Sequence, residues 1–148
     1  MAQYWLTLLL RINAVLLMLA LPAVVIPFPW MQSIHQALGM GELEHSPIIE
    51  YLARSLSLIY AMLGLVTWVI AGDLERYGPI VRMWGLAAIV CGAVLFAVDL
   101  VIEMPIFWLL AEGPYLIPLG LVIVWLHQKT DRNEAALNGG PGPDGNRS

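Results

Sequence analysis

Four long apolar stretches restrict the fold of this chain more than any other feature of its sequence. Each has close to the ~20 residues that an α-helix needs to cross the hydrocarbon core of a bilayer. None shows the sustained alternation of apolar and polar residues that marks a half-buried strand. Because lipid accepts only helices or closed barrels, we predict an all-α integral membrane protein, an antiparallel four-helix transmembrane bundle. The stretches are Tyr4–Phe28, Ile48–Ile70, Pro79–Ile102 and Ile106–Leu126.

The composition agrees with a membrane environment. Apolar residues make up 59% of the chain and charged residues only 12%, whereas soluble domains carry roughly 25% charged residues. The net charge of −4 comes mostly from acids in loops, at helix ends and in the tail, and it gives no reason to expect nucleic acid as a partner. The predicted partner is the lipid bilayer, with other membrane subunits or further copies of the chain as additional candidates.

The distribution of Lys and Arg predicts the orientation in the cell (inner) membrane. Arg76 lies between the second and third stretches, and Lys129 and Arg132 follow the fourth, whereas the segment between the first two stretches has neither residue type. Basic residues favour the cytoplasmic side, so we expect both termini to be cytoplasmic. Residues 1–130 are expected to form the transmembrane domain. Residues 131–148, which lack an apolar period, are expected to form a disordered polar tail.

Local signals predict where helices begin. The pair Ser46-Pro47 is typical of a helix start, because proline is tolerated at the first helical position. Pro79 and Pro105 predict the starts of the third and fourth long helices in the same way. Between the first two stretches, apolar residues recur at helical spacing and predict a short amphipathic helix on the membrane surface. They are Trp30, Met31, Ile34 and Leu38.

Ionisable residues within the apolar stretches are the first candidates for a functional site, because charge at bilayer depth is costly. Glu50 and Arg54 lie one helical turn apart and can form an ion pair. With helices alternating in direction, Arg54, Asp99 and Glu112 all fall in the outer half of the membrane. We therefore predict one binding cluster, with Arg54 as the cation and Glu50, Asp99 and Glu112 as the acids.

A fifth ionisable residue, Arg11, stands apart in the inner half of the first stretch. The simplest expectation is that its side chain extends towards the cytoplasmic headgroups. The alternative is that Arg11 pairs across the bundle with Thr67 or with the Asp73 end of the second helix.

Two interpretations of the Arg54 cluster remain open at this point. The cluster could hold helices together through buried ion pairs, or it could line a cavity for a proton, an ion or a small polar ligand. Pro114 and Pro118 favour the second interpretation, because each removes a backbone hydrogen bond near Glu112. We predict no metal, no cofactor and no catalytic residue. The loop residues His35, Glu42, Glu44 and His45 match no recognised ligand spacing.

The overall pattern resembles the DoxX-like group of small four-helix bacterial membrane proteins. The resemblance covers roughly residues 4–127. It lies in the helix count, in Arg11, in the run Glu50-Tyr-Leu-Ala-Arg54, and in the acids Asp99 and Glu112. The late part of the first helix differs, with Pro22, Pro27 and Pro29 where the group has glycines and a lysine. The resemblance implies a mostly uncharacterised membrane protein. Some relatives are accessory subunits of quinone-linked oxidoreductases.

Three functional classes follow from these observations. The favoured class is a non-catalytic accessory or scaffold subunit, and an enzymatic role is not favoured. The second class is a small carrier or proton-coupled pathway that uses Arg54 and Glu112. The third is a subunit of a quinone-linked membrane oxidoreductase, to which this chain would contribute no cofactor ligand of its own.

Overall fold

The fold was analysed in a computed structural model that describes residues 1–111 and 113–138, with side chains over residues 1–110 and 113–133. Every regular element in the described part is helical, which confirms the predicted all-α class. The elements are α1 (Ala2–Met18), a 3₁₀ turn (Leu21–Val24), α2 (Phe28–Ala37), α3 (Pro47–Ile70), α4 (Leu74–Val101), α5 (Ile106–Ala111) and α6 (Gly113–Asn138).

Four helical segments are long and apolar enough to cross a membrane, in agreement with the four predicted stretches. The first combines α1 with the 3₁₀ turn, and the fourth combines α5 with most of α6. Their bounds are Ala2–Val24, Pro47–Ile70, Leu74–Val101 and Ile106–Asn133. The predicted short helix between the first two segments is α2, which begins immediately after Pro27.

The start of the third long helix was predicted wrongly. We placed it at Gly78-Pro79, but α4 begins at Leu74, where the Asp73 carboxylate accepts a hydrogen bond from the backbone N–H of Arg76 at 3.0 Å. This side-chain cap satisfies a donor that the helix start leaves free. Pro79 therefore lies inside the helix, where its ring removes one backbone hydrogen bond near the helix start.

The fourth segment extends further than the sequence indicated. Helix α6 continues beyond Leu126 to Asn138, so residues 131–138, which we assigned to the polar tail, are helical. Residues 139–148 of that tail lie outside the described residues.

Glycines determine how α4 and α6 pack together. Gly78, Gly85 and Gly92 recur every seven residues on the buried face of α4. Gly78 faces His127, Gly85 faces Gly120, and Gly92 faces Gly113. Residue numbers therefore decrease along α6 in the direction in which they increase along α4. A Cβ added at Gly113 would lie 2.8 Å from both the Gly92 carbonyl oxygen and the Phe96 backbone nitrogen. The two backbones are thus in direct contact, as small residues allow.

The remaining helices pack around this pair. Helix α1 contacts α3 on one side and α6 on the other, whereas α3 and α4 have few contacts with each other. Gly64 of α3 permits the close approach of α1, because a Cβ there would lie 2.7 Å from the Ala14 carbonyl oxygen. The order of contact is therefore α3, α1, α6 and α4.

The buried apolar core is small and lies towards one end of the bundle, which we call the terminal end. This end carries the N-terminal residues and the α3–α4 connection, and the core extends from there to the middle turns of α6. The core residues include Leu6, Leu10, Ile70, Val81, Leu119 and Ile123. We call the other end, with the α1–α3 and α4–α5 connections, the opposite end. Large apolar side chains elsewhere point outward along all four segments, as Met62 (56% exposed) and Val90 (63% exposed) illustrate.

Candidate functional site

The predicted ion pair between Glu50 and Arg54 is present on α3. The Arg54 guanidinium donates to Glu50 Oε1 from Nε at 3.1 Å and from Nη2 at 2.6 Å. The spacing of four residues places both side chains on one face of the helix. His45 lies beside them, with Nε2 3.8 Å from Glu50 Oε2, and its ring packs edge-on against Phe28 with 4.5 Å between centroids.

The rest of the Arg54 guanidinium binds the backbone where the first segment ends. Nη1 donates to the Val24 carbonyl, and Nη2 donates to the Ile26 carbonyl at 3.3 Å. Pro27 and Pro29 lie three residues after Val24 and Ile26, so neither carbonyl can accept the i+3 hydrogen bond of a 3₁₀ turn. Among the backbone hydrogen bonds of the described residues, the N–H groups four residues on donate to neither carbonyl. Arg54 satisfies both carbonyls and fastens α3 to the end of the first segment.

The predicted cluster placed Asp99 beside Arg54, but the ion pair of Arg54 in the described residues is with Glu50. No ion pair joins the two side chains, although both lie in the described part of the chain. Asp99 follows Gly92 by seven residues and so extends the glycine row of α4, and α4 packs mainly on α6 rather than on α3. Asp99 therefore lies on the face of α4 that packs on α6. Glu112, the other predicted acid, lies outside the described residues, and its part in the cluster stays a prediction.

Asp99 is the most deeply buried acid among the residues whose side chains are described. Its side chain is 5% exposed, and its Oδ2 atom has no hydrogen-bond partner within the described part. Burial of a carboxylate oxygen without a partner carries a desolvation cost. Asp99 is therefore a position where a ligand that donates a hydrogen bond to Oδ2 would remove an unfavourable interaction.

Arg11 lies towards the terminal end. Its guanidinium carbon is 5.3 Å from the centroid of the Trp68 ring, a cation–π distance. The alternative partners that we considered are otherwise engaged, because Thr67 donates to the Leu63 carbonyl and Asp73 caps α4. Arg11 nevertheless shares the lining of a cavity of about 500 Å³ with Asp73 and Glu75. The extension of Arg11 to the headgroups stays a prediction.

A polar cavity at the terminal end was missed by the sequence reasoning. It has a volume of about 420 Å³ and lies between α1, α4 and α6. The His127 side chain is 12% exposed, and its Nε2 is 3.5 Å from Asp131 Oδ2. Gly78 makes space for this ring, since a Cβ there would lie 3.2 Å from His127 Cε1. The cavity's polar lining comprises Gln3, Glu75, Arg82, His127, Thr130 and Asp131.

A signal for this second site was present in the sequence. The spacing of seven residues in Gly78, Gly85 and Gly92 recurs in Gly113, Gly120 and His127. Two such rows, placed against each other in opposite directions, bring Gly78 and His127 together. What the sequence could not reveal was that these two rows pack on each other.

These sites consist of ion pairs and of partly or fully buried ionisable side chains. Within the described residues, no group of three His, Cys, Asp or Glu side chains is arranged to hold a metal ion. The terminal cavity mixes acids with basic groups and therefore selects no single class of ligand. No family model, curated protein or solved structure matches the chain. Its class is therefore defined by its own geometry, as an all-helical chain with four potential membrane spans.

Proposed function

We propose that the chain is a multi-pass protein of the cell (inner) membrane, an antiparallel four-helix bundle with both termini cytoplasmic, and that it acts as a non-catalytic accessory or scaffold subunit. The outward-facing apolar side chains on all four segments support the membrane location, because monomeric soluble proteins rarely expose large apolar patches. Alternating helix directions are supported by two contacts in each of two helix pairs, which are Gly64–Ala14 and Arg54–Val24, and Gly85–Gly120 and Gly92–Gly113. The positions of Arg76 and Lys129 support the orientation.

The proposal of a structural role for Arg54 rests on the fact that most hydrogen-bond donors of its guanidinium are already used. Four hydrogen bonds from this guanidinium go to Glu50 and to the carbonyls of Val24 and Ile26. A guanidinium has five N–H donors, so little capacity remains for a ligand. The predicted cation of a binding cluster therefore acts as a fastener between α3 and the end of the first segment.

Cysteine labelling tests the membrane location and the orientation. With Cys91 replaced by Ser, single cysteines are introduced as Glu42→Cys and Arg132→Cys, and cells are treated with a membrane-impermeant maleimide. We expect Glu42→Cys to react in intact cells and Arg132→Cys to react only after permeabilisation. Labelling of both sites in intact cells would contradict the orientation, and recovery of the chain in the soluble fraction would contradict membrane insertion.

Purification from native membranes tests the accessory role. We expect the tagged chain to co-purify in mild detergent with a membrane partner at a fixed stoichiometry. We expect Glu112→Gln and Asp99→Asn to retain that partner, because an accessory role requires neither charge. An isolated chain without any partner, which carries ion flux after reconstitution, would contradict the proposal.

A second candidate function, a proton or cation pathway, is favoured by one observation. The buried Asp99 carboxylate has an oxygen without a hydrogen-bond partner among the described residues, and intramembrane acids of this kind often belong to transport pathways. Proteoliposomes that carry a pH-sensitive dye test this candidate. The pathway predicts proton flux that Asp99→Asn abolishes and that Glu103→Gln, a change at an exposed acid at the same end, leaves intact. Absence of flux in the wild type would eliminate it.

The third class, a subunit of a quinone-linked oxidoreductase, rests on the DoxX-like resemblance alone. It stays a prediction that the identity of the co-purified partner tests directly. A quinone-reactive enzyme among the partners would support it.

A further inference from the structure

An apolar groove of about 790 Å³ runs between α1 and α6 from the terminal end towards the middle of the bundle. Its volume falls within the range of ~300–1,000 Å³ that is typical of ligand sites. Each wall is a stripe of side chains at helical spacing of three or four residues. The main wall residues are Trp5, Leu8 and Ile12 on α1, and Val122, Trp125 and Leu126 on α6.

The mouth of the groove is polar, and Lys129 is the one charged side chain in the lining. Lys129 and Asn133 line it, and Lys129 Nζ lies 5.1 Å from the centroid of the Trp125 ring. No Asp or Glu is among the residues that line the groove. This separates it from the neighbouring polar cavity, where Glu75 and Asp131 balance Arg82.

The apolar part of the groove lies below its polar mouth. Val122 and Lys129 are seven residues apart on α6, which corresponds to about 10 Å at the helical rise. Half of the hydrocarbon core measures about 15 Å. An acyl chain whose phosphate lies at Lys129 would thus follow the groove through the part of the leaflet nearest the headgroups.

We propose that this groove binds one anionic phospholipid of the cytoplasmic leaflet. The acyl chain lies between the α1 and α6 walls, and the phosphate is bound by the Lys129 ammonium and the Asn133 amide. Trp5 and Trp125, 57% and 58% exposed, lie near the interface, where indole rings are favoured. The inference rests on the proposed membrane location and extends it to a specific lipid site.

Native mass spectrometry of the delipidated full chain in a neutral detergent tests this site. The probes are phosphatidylglycerol and phosphatidylcholine with identical acyl chains. A basic residue beside an anionic membrane surface corresponds to a preference of about fivefold, so we expect the wild type to bind phosphatidylglycerol about fivefold more tightly. We expect Lys129→Gln to abolish that preference and Lys129→Arg to retain it.

Arg76→Gln is the matched control for charge. Arg76 is also a terminal-end cation that lies over an aromatic ring, at 5.6 Å from Tyr77, but it does not line the groove. We expect this variant to keep the wild-type preference. Equal affinity of the wild type for both lipids would overturn the proposal, as would an equal loss of preference in Arg76→Gln and Lys129→Gln.

The groove itself is tested by filling it. Val122→Trp is expected to weaken the binding of both lipids, whereas Leu121→Trp, at an exposed neighbour outside the groove, is expected to leave it unchanged. A dimer whose groove excludes lipid would show that a second copy occupies it and would overturn the proposal. The maleimide experiment measures membrane insertion, and its result does not depend on which lipid headgroup the groove prefers. A chain that inserts but does not discriminate between the lipids would therefore refute the lipid site and leave the proposed function standing.

Discussion

The backbone contact between α4 and α6 predicts that Gly120→Ala destabilises the bundle substantially. A Cβ at this position would collide with the Gly85 carbonyl oxygen and would lie 2.7 Å from Ile89 Cγ1 and 3.0 Å from the Ile89 backbone nitrogen. Two of these three atoms belong to the backbone of α4, so no rotamer change can relieve the overlap. The helix must move.

The expected magnitude follows from two opposing effects. Overpacking costs about 1–3 kcal/mol, and backbone overlap places Gly120→Ala near the upper value. The higher helix propensity of alanine returns about 1 kcal/mol. The net loss in the free energy of unfolding is therefore about 2 kcal/mol, close to a 30-fold change in the unfolding equilibrium constant.

Unfolding by sodium dodecyl sulfate in mixed micelles, followed by far-UV circular dichroism, measures this loss. Gly78→Ala is the matched control, because the nearest atom to a Cβ there is His127 Cε1 at 3.2 Å, in a side chain that can move. We expect the control to differ from the wild type by no more than about 0.5 kcal/mol, because propensity offsets a small adjustment. Equal stability of Gly120→Ala and the wild type would refute the reasoning, and so would equal losses in the two variants.

Three further predictions use the same unfolding measurement. Arg54→Met should lower the free energy of unfolding by about 2 kcal/mol, since hydrogen bonds to charged groups contribute about 1.5–3 kcal/mol. Arg82→Met, at an exposed site, should have little effect. Equal losses in the two variants would contradict the proposal that Arg54 holds α3 to the end of the first segment. Asp99→Leu should be neutral or stabilising, because it removes a buried oxygen without a partner, and a loss above about 2 kcal/mol would show that the carboxylate is stabilised in the fold after all. Asp73→Ala should lower the free energy of unfolding by about 1 kcal/mol. Ser46→Ala should leave it almost unchanged, because the Ser46 side chain makes no cap hydrogen bond. A larger loss for Ser46→Ala than for Asp73→Ala would contradict the assignment of Asp73 as the cap.

The long helices and α2 could be predicted because each follows from residues close together in the chain. Apolar length set the four segments, and Pro47 marked the start of α3 correctly. The same rule failed at Pro79, because proline near the start of a helix is tolerated at a modest cost and the Asp73 cap lies six residues earlier. Proline alone therefore marks the neighbourhood of a helix start rather than its first residue.

Some contacts of the candidate site could be predicted from the sequence and others could not. The Glu50–Arg54 pair follows from a spacing of four residues within one helix. The other partners of Arg54 are carbonyls at Val24 and Ile26, and backbone acceptors leave no residue-type signal in a sequence. Asp99 was assigned to Arg54 from its estimated depth alone. Depth does not determine which neighbour a helix face meets, and α4 faces α6.

The row of glycines on α4 lies between two polar positions, Asp99 and His127. Gly85 and Gly92 let α4 lie directly on α6, and this contact buries Asp99 beyond one end of the row and His127 at the other. Because Gly85 and Gly92 meet backbone atoms of α6, a bulkier residue at either position, or at Gly113 or Gly120 opposite them, would push the two helices apart. A change such as Gly120→Ala should then expose Asp99 and His127 together, although neither side chain contacts that position. The environments of the two polar groups therefore depend on one shared backbone contact.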